Sequence, residues 1–387
     1  MENREYEVVV CGGGTAGIAA ALAARRHGKK TLLAEKQYLL GGLATAGIVT
    51  IYLPLCDGMG HQVSFGIAEE LLRLSIKYGV EDRFPDAWLG SRENEELRKT
   101  QRFEVQFNPH LFAIAAEELL LQEGVDILYG TTVSDVILEG SRIAALVLEN
   151  KSGRFTTSVQ SVVDATGDAD IVYRTGVPTA TYQQKNILAS WYYSIGSDGY
   201  RLHMLGFADK PDEEKTEEEK SNQNKERFLG LEGEEITSFM VKSHQCLLQD
   251  YLKRKKDDDS FFPVTMASIP QLRMTRRIEG ESCMSTLDDH RSVSDSVGLI
   301  SNWKKRGPVY EVPFSSLYSS KCENLITAGR CISAEEAMWD VTRVIPCCVV
   351  TGQAAGTAAA LFTDFSSADI QMLQTTLMRD GVKLFLK

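Results

Sequence analysis

The chain has no C-x-x-C pair, although it holds eight cysteines, at 11, 56, 246, 283, 322, 331, 347 and 348. That absence removes the common zinc sites and thioredoxin-like centres, and no metal site is expected. Runs of basic residues are missing as well, and the net charge is −11 over 387 residues. Such an acidic balance argues against a nucleic-acid surface. Nor is there a clean apolar stretch of membrane-spanning length. The most apolar segment, Val344 to Phe362, is broken by Pro346, Gly352 and Gly356 and is rich in alanine. It reads as a closely packed core helix, and no membrane contact is expected. The N-terminus shows no charged-then-apolar leader. Reduced thiols in a cytoplasmic protein are therefore expected, with the adjacent Cys347 and Cys348 serving as small buried residues. An apolar content of 43% is ample for a full core, and the length permits two or more domains.

What the chain does have comes first at its N-terminus. Val8-Val9-Val10-Cys11-Gly12-Gly13-Gly14-Thr15-Ala16-Gly17 joins an apolar strand to a Gly-x-Gly-x-x-Gly turn. A small-residue helix follows from Ile18 to Arg26, then Gly28, then a second strand, Thr31 to Ala34, that ends at Glu35. Strand, glycines, helix and acid together make the dinucleotide-binding βαβ pattern in register. Gly12 permits the tight turn, Gly14 lets backbone amides approach a diphosphate, and Gly17 lets helix and strand pack closely. Thr15 and Ala16 open a helix whose free N–H groups and dipole favour negative charge. The Glu35 carboxylate can accept hydrogen bonds from ribose hydroxyls. It would repel a 2′-phosphate, so NADP is not expected.

This motif alone does not separate NAD from FAD, and three further segments bear on the choice. Glu35-Lys36 is followed by Gly41-Gly42-Leu43-Ala44-Thr45-Ala46-Gly47, where a glycine pair lets backbone pass beside a flat ligand. Val162-Val163-Asp164-Ala165-Thr166-Gly167-Asp168 is an apolar strand closing on a small-residue turn. It comes after a hairpin-like stretch, Ile143 to Val159, that turns at Lys151-Ser152-Gly153. Asn324-Leu325-Ile326-Thr327-Ala328-Gly329-Arg330 is another strand ending in a glycine turn, with a helix from about Pro346. These blocks resemble the FAD-dependent oxidoreductase family of glutathione-reductase-like flavoproteins, distantly related to the flavoprotein subunits of succinate dehydrogenase and fumarate reductase. The resemblance runs from Val8 to about Gly381 and is weak in the middle.

The resemblance implies an α/β fold. A Rossmann-like FAD-binding domain, with a central parallel sheet and a β-meander insert, would carry a second, α+β cap domain on the substrate side. Residues 1–55, 105–180 and 308–387 would form the first, and 56–104 and 181–307 the second. The resemblance also implies FAD bound without a covalent link. Gly12, Gly14, Thr15, Ala16, Gly17, Glu35 and Lys36 would hold the ADP half, with Val133 at the adenine. Gly41, Gly42, Leu43 and Ala44 would pass beside the ligand, and Ala165, Thr166 and Gly167 would line the ribose end. Gly329 and Arg330 would lie along the ribityl and diphosphate chain, and Val344 and Ile345 against the flavin ring. Pro346 suits the first position of a helix. That helix, through residue 362, would aim its N-terminus at the flavin N1–C2=O edge and favour the reduced anion.

Some family features are absent. Many relatives carry Gly-Asp where this chain has Gly329-Arg330, so the aspartate's role does not transfer; the arginine is left to a phosphate or to solvent. The C-x-x-x-x-C of disulfide reductases is missing after Gly42. So are a second nicotinamide-binding glycine motif and the late Gly-Asp-Ala-Ala-His of aromatic hydroxylases. His61 leaves a histidyl–flavin link open without indicating one.

In the cap, Leu272-Arg273-Met274-Thr275-Arg276-Arg277-Ile278-Glu279-Gly280 carries three arginines in five residues. As a strand it would put Arg273 and Arg277 on one face and Arg276 on the other. An arginine near the flavin could clamp a substrate carboxylate bidentately; an arginine–glutamate network with Glu279 and Glu281 is the structural alternative. Arg343, just before the last long helix, is placed to touch flavin or substrate. His290 and His61 are candidate acid/base groups, although a loop residue is the commoner role for each. Elsewhere, Ile67 to Tyr78 reads as an amphipathic helix, Pro109 to Glu123 as another, and the acid-rich stretch 209–235 as a solvated helix or loop. The function implied is hydride transfer between flavin N5 and a small polar substrate, a carboxylate or a polyol, with an electron partner the residues do not name. A non-redox binding protein on the same fold and a flavoprotein that modifies a macromolecule are the alternatives. A homo-oligomer is left open.

Overall fold

The computed structural model describes residues 4–81, 83–90, 95–206 and 226–386. Strand β1 (Arg4–Cys11) leads into helix α1 (Thr15–Arg26) and on to β2 (Thr31–Ala34). Val8, Val9 and Val10 are fully buried. A parallel strand covered on both faces has a continuous apolar sequence rather than an alternating one. Six more ranges matter here: β3 (Asp126–Leu128), β4 (Thr132–Glu139), β5 (Arg142–Asn150), β6 (Gly153–Asp164), β10 (Arg276–Ile278) and β11 (Leu325–Thr327). The central sheet has seven strands. β3, β2, β1 and β6 lie side by side and parallel, and β11 runs parallel to the last residues of β6. The first residues of β6 instead pair antiparallel with β5, which pairs with β4. One long strand thus joins the parallel layer to the meander, as the hairpin signal at Lys151-Ser152-Gly153 requires.

Helix α6 (Ile345–Leu361) packs on α1 with the two backbones in contact. A methyl group added at Gly352 would stand 2.3 Å from the Ala16 carbonyl oxygen, and one at Gly356 would stand 2.1 Å from that of Ala20. Every residue of α6 except Leu361 is buried. The helix starts one residue before the expected position, so Pro346 is second rather than first. Among the described residues, no single helix is long and apolar enough to cross a membrane.

Helices α2 (Ile67–Ser75) and α3 (Pro109–Gln122) form where the periodicity places them. Asn108 caps α3, accepting from the amides of His110 at 3.0 Å and Leu111 at 3.1 Å. α2 belongs to the main core rather than to a cap, because Ile67, Leu71 and Leu72 pack into the same cluster as α6. The hairpin Ser296–Ser301 with Val309–Pro313 joins that core too, so the expected boundary at 308 falls inside one unit. The cap itself is an antiparallel sheet of β7 (Ser190–Gly196), β8 (Gly199–Leu205) and β9 (Phe262–Met266). Helix α4 (Gly233–Arg254) covers one face through Phe239 and Leu247. The other face carries Trp191 and Tyr193 against Ile48. Of the acid-rich stretch, 209–225 lies outside the described residues, and its end is already α4.

Candidate functional site

The carboxyl ends of β1, β6 and β11 come level, with Cys11 beside Asp164 and Asp164 beside Thr327. Loops leaving these ends frame a cavity of about 520 Å³. Open α/β sheets bind their ligands at this edge.

Glycines shape the floor. Gly12 has φ of 102°, and a methyl group there would lie 2.6 Å from the Ala165 carbonyl oxygen. One on Gly17 would lie 1.8 Å from the carbonyl oxygen of Gly12. Gly17 therefore serves the strand–helix contact and does not itself reach the cavity. Gly14 differs: it lines the cavity, and beyond its two neighbours in the chain no described residue lies within 4 Å of a Cβ built on it. Next to it α1 begins with no side-chain cap and no acid in its first turn. Its first amides, with Thr15 and Ala16 on the wall, are left for a ligand.

Glu35 is buried at the end of β2. Its carboxylate accepts the Gly13 amide at 2.5 Å and the Gln37 amide at 2.7 Å, which fixes it on the wall beside Lys36. Val133 lines the same end. Gly41, at φ 98°, and Gly42, at φ 55°, carry the chain past Gly14, with Leu43 and Ala44 behind them on the wall. Ala165, Thr166 and Gly167 also line the cavity. Their turn is ordered by the buried Asp164, which accepts from the Thr166 amide and hydroxyl at 3.1 and 2.7 Å and from the amides of Ile171 and Val172 at 2.9 and 3.0 Å. Burial pushes the Asp164 carboxyl up, although those bonds oppose it.

Val344, Ile345 and Cys348 line the cavity where α6 starts, again without a side-chain cap or an acid in the first turn. Burial pushes the Cys348 thiol up to about 12, which disfavours the thiolate. Gly329 and Arg330 are on the wall as well. Arg330 is not a solvated turn residue. Its Nη1 donates to the carbonyls of Leu272 and Arg273, both at 3.0 Å, and its Nη2 meets Asp168 at 3.3 Å. It ties the turn after β11 to the cap segment.

Arg343 closes helix α5 (Glu336–Thr342) and lines the cavity. Asp340 Oδ1 holds its guanidinium, 2.9 Å from Nε and 2.5 Å from Nη2, and the other carboxylate oxygen pairs with Lys304. Burial opposes the Asp340 charge, yet Arg343 and Lys304 keep its carboxyl below the usual range. Arg273 reaches the wall from the cap and is 5% exposed. Its guanidinium carbon lies 5.0 Å from the centre of the Trp191 ring, and among the described residues its Nη1 has no hydrogen-bond partner. Burial first, then the charges of Arg343 and Arg330, pull this guanidinium below its ordinary value.

Other expected catalytic residues stand elsewhere. Residues 271–275 are irregular and only β10, paired with Thr179–Thr181, is a strand, so Arg273 and Arg277 do not share a face. Arg277 is off the cavity wall; its guanidinium carbon is 5.6 Å from the Trp339 ring and its Nη1 donates to the Ile278 carbonyl at 3.2 Å. Arg276 pairs with Asp170 at 2.8 Å, which makes the local network arginine–aspartate rather than arginine–glutamate. His290 is exposed beside Asp289 at 2.6 Å, and His61 beside Asp57 at 2.8 Å; neither lines the cavity. Asp168, Asp340 and Trp191 were not foreseen. The i,i+3 spacing of Asp340 and Arg343 is a usable signal, but Asp168 and Trp191 meet their arginines only through the tertiary fold.

Comparison with known proteins gives a consistent assignment. The sequence model described as FAD dependent oxidoreductase matches residues 7–190 and 194–378. The thiamine thiazole synthase of Methanococcus vannielii is 32% identical over 184 residues, 44% of this chain and 60% of that protein. The digeranylgeranylglycerophospholipid reductase of Picrophilus torridus is 27% identical over 164 residues, 42% of this chain and 39% of that protein. The chain thus spans less than two thirds of the length of these curated relatives. Among solved structures, a geranylgeranyl bacteriochlorophyll reductase-like protein from Thermoplasma acidophilum is similar over 98% of this chain and 85% of its own, with 14% identity and a TM-score of 0.47.

Proposed function

The chain belongs to the FAD dependent oxidoreductase family, with FAD as its cofactor, and from that premise we propose that it transfers hydride between FAD and a small polar substrate held under the cap. FAD, when bound, supplies the two-electron hydride chemistry. The chain's own residues supply binding, orientation and electrostatics. The uncapped amides of α1, with Gly12, Gly14, Thr15 and Ala16, would hold the diphosphate, and Glu35 the ribose. The start of α6 at Val344 and Ile345 would stabilise negative charge at the other end of the cavity. Arg343, held by Asp340, and Arg273 would orient the substrate. The observation that carries this is Gly14: a cradle whose Cβ position is empty, beside an uncapped helix, at the edge of a parallel sheet. The test is an anaerobic absorption titration of the purified yellow protein with a broad panel of small acids and polyols. Bleaching of the flavin by one of them, or reoxidation of the prereduced protein, is expected. A flavin that dithionite reduces but no member of the panel oxidises or reduces would overturn the proposal.

A further inference from the structure

We propose that the substrate is a monocarboxylic acid with an apolar body, its carboxylate seated on Arg273 and its body against the hydrocarbon of the cap wall. This narrows the hydride-transfer proposal above and rests on it. Arg273 is a buried cation that lines the cavity, and among the described residues its Nη1 meets no acceptor. Leaving such a donor unmatched is costly, more so when the group is charged, and buried charges are ordinarily paired. Among the described residues no carboxylate bonds the Arg273 guanidinium: Asp340 holds Arg343 and Lys304, and Asp168 Oδ1 accepts from Thr275 at 2.6 Å and from Arg330 at 3.3 Å. Trp191 packs against the guanidinium. The missing acceptor therefore fits a ligand, and a carboxylate matches the guanidinium fork with two parallel bonds.

The rest of the wall defines the body. The cap contributes Ile236, Ile269, Pro270 and Leu272, and the segment after the glycine pair contributes Ile51 and Leu53. The other arginines of the wall already have protein acceptors: Arg174 donates to Ser134 and Asp170, Arg330 to Leu272 and Arg273, and Arg343 to Asp340. A dicarboxylate would bury its second charge against hydrocarbon, and a polyol would bury hydroxyls there; both are costly.

The test uses the FAD-loaded full chain, with sodium acetate, hexanoate, benzoate and succinate as probes and hexanamide and glycerol as neutral controls. Thermal shift and perturbation of the flavin absorption band are the readouts. Hexanoate and benzoate should bind at least about tenfold tighter than acetate or succinate, and the neutral probes should give no response. Arg273→Gln should keep its FAD and lose at least about tenfold in hexanoate affinity. Arg273→Lys, which carries the test if the glutamine variant does not fold, should bind hexanoate at neutral pH and lose it as the pH rises, because a buried lysine gives up its proton more readily than an arginine. Hexanamide binding as well as hexanoate, succinate binding best, or Arg273→Gln matching the wild type would overturn the proposal. A bound acid that never changes the redox state of the flavin would instead count against the hydride-transfer proposal alone. Turnover of a neutral polyol would overturn this one alone.

Discussion

The floor of the cavity presents backbone, whereas its cap wall presents side chains. On the floor, Gly12, Gly14, Gly41 and Gly42 and the first amides of α1 leave almost no functional side chain except Glu35. On the cap wall stand Arg273, close to Trp191, and the apolar group around Leu272. The floor requires residues with no Cβ, and few sequences satisfy that. The wall requires only that a charge and some hydrocarbon arrive together, and many sequences satisfy that.

Substitutions can break this contrast in a graded way. The largest effect should come from Gly17→Ala. Its new methyl group meets the Gly12 carbonyl oxygen at 1.8 Å, well beyond ordinary overpacking at about 1–3 kcal/mol, and circular dichroism should find no folded chain. Asp340→Asn comes next. Removing one partner of a buried charge group costs about 3–5 kcal/mol, and chemical denaturation should record a loss of that order near neutral pH. Its sign with pH is fixed by the direction of the shift. The Asp340 carboxyl is held down in the folded chain, so its contribution is full above the unfolded value of about 3.9 and fades as the pH falls through the folded one. The wild type should therefore lose stability on acidification more steeply than Asp340→Asn. Glu35→Gln keeps an acceptor but drops the charge, and FAD affinity by equilibrium dialysis should fall by about tenfold. His290→Asn should change neither melting nor FAD content, within about 0.5 kcal/mol, since His290 is exposed and away from the cavity.

The same contrast explains what could be read before the fold was known. β1, the glycine turn, α1, β2 and Glu35 are local in the chain, and Gly12 and Gly17 answer steric demands within it, so their positions were legible. Ala165 to Gly167 and Gly329 follow apolar strands for the same reason. The arginines were legible as residues but not as sites. Strand spacing put Arg273 with Arg277, yet the strand begins only at Arg276, and the two end in different surroundings. The sequence around Arg330 points only to phosphate or solvent, because its partners, Asp168 and the Leu272 and Arg273 carbonyls, arrive from distant segments. The cap boundaries blurred at α2 and at the hairpin from Ser296 for a related reason: an amphipathic face shows that an element is buried, not which core buries it.

The FAD content of Gly14→Ala, measured by absorbance beside the wild type, tests the account most directly. Gly14 has φ of −66°, which alanine tolerates, and among the described residues beyond its two neighbours none lies within 4 Å of its Cβ position, so the variant should match the stability of the wild type within about 1 kcal/mol. It should nevertheless carry less than about a tenth of the wild-type FAD, because the new methyl group occupies ligand space. A Gly14→Ala chain that is folded and as yellow as the wild type would contradict the claim that the floor of this cavity is the seat of the diphosphate.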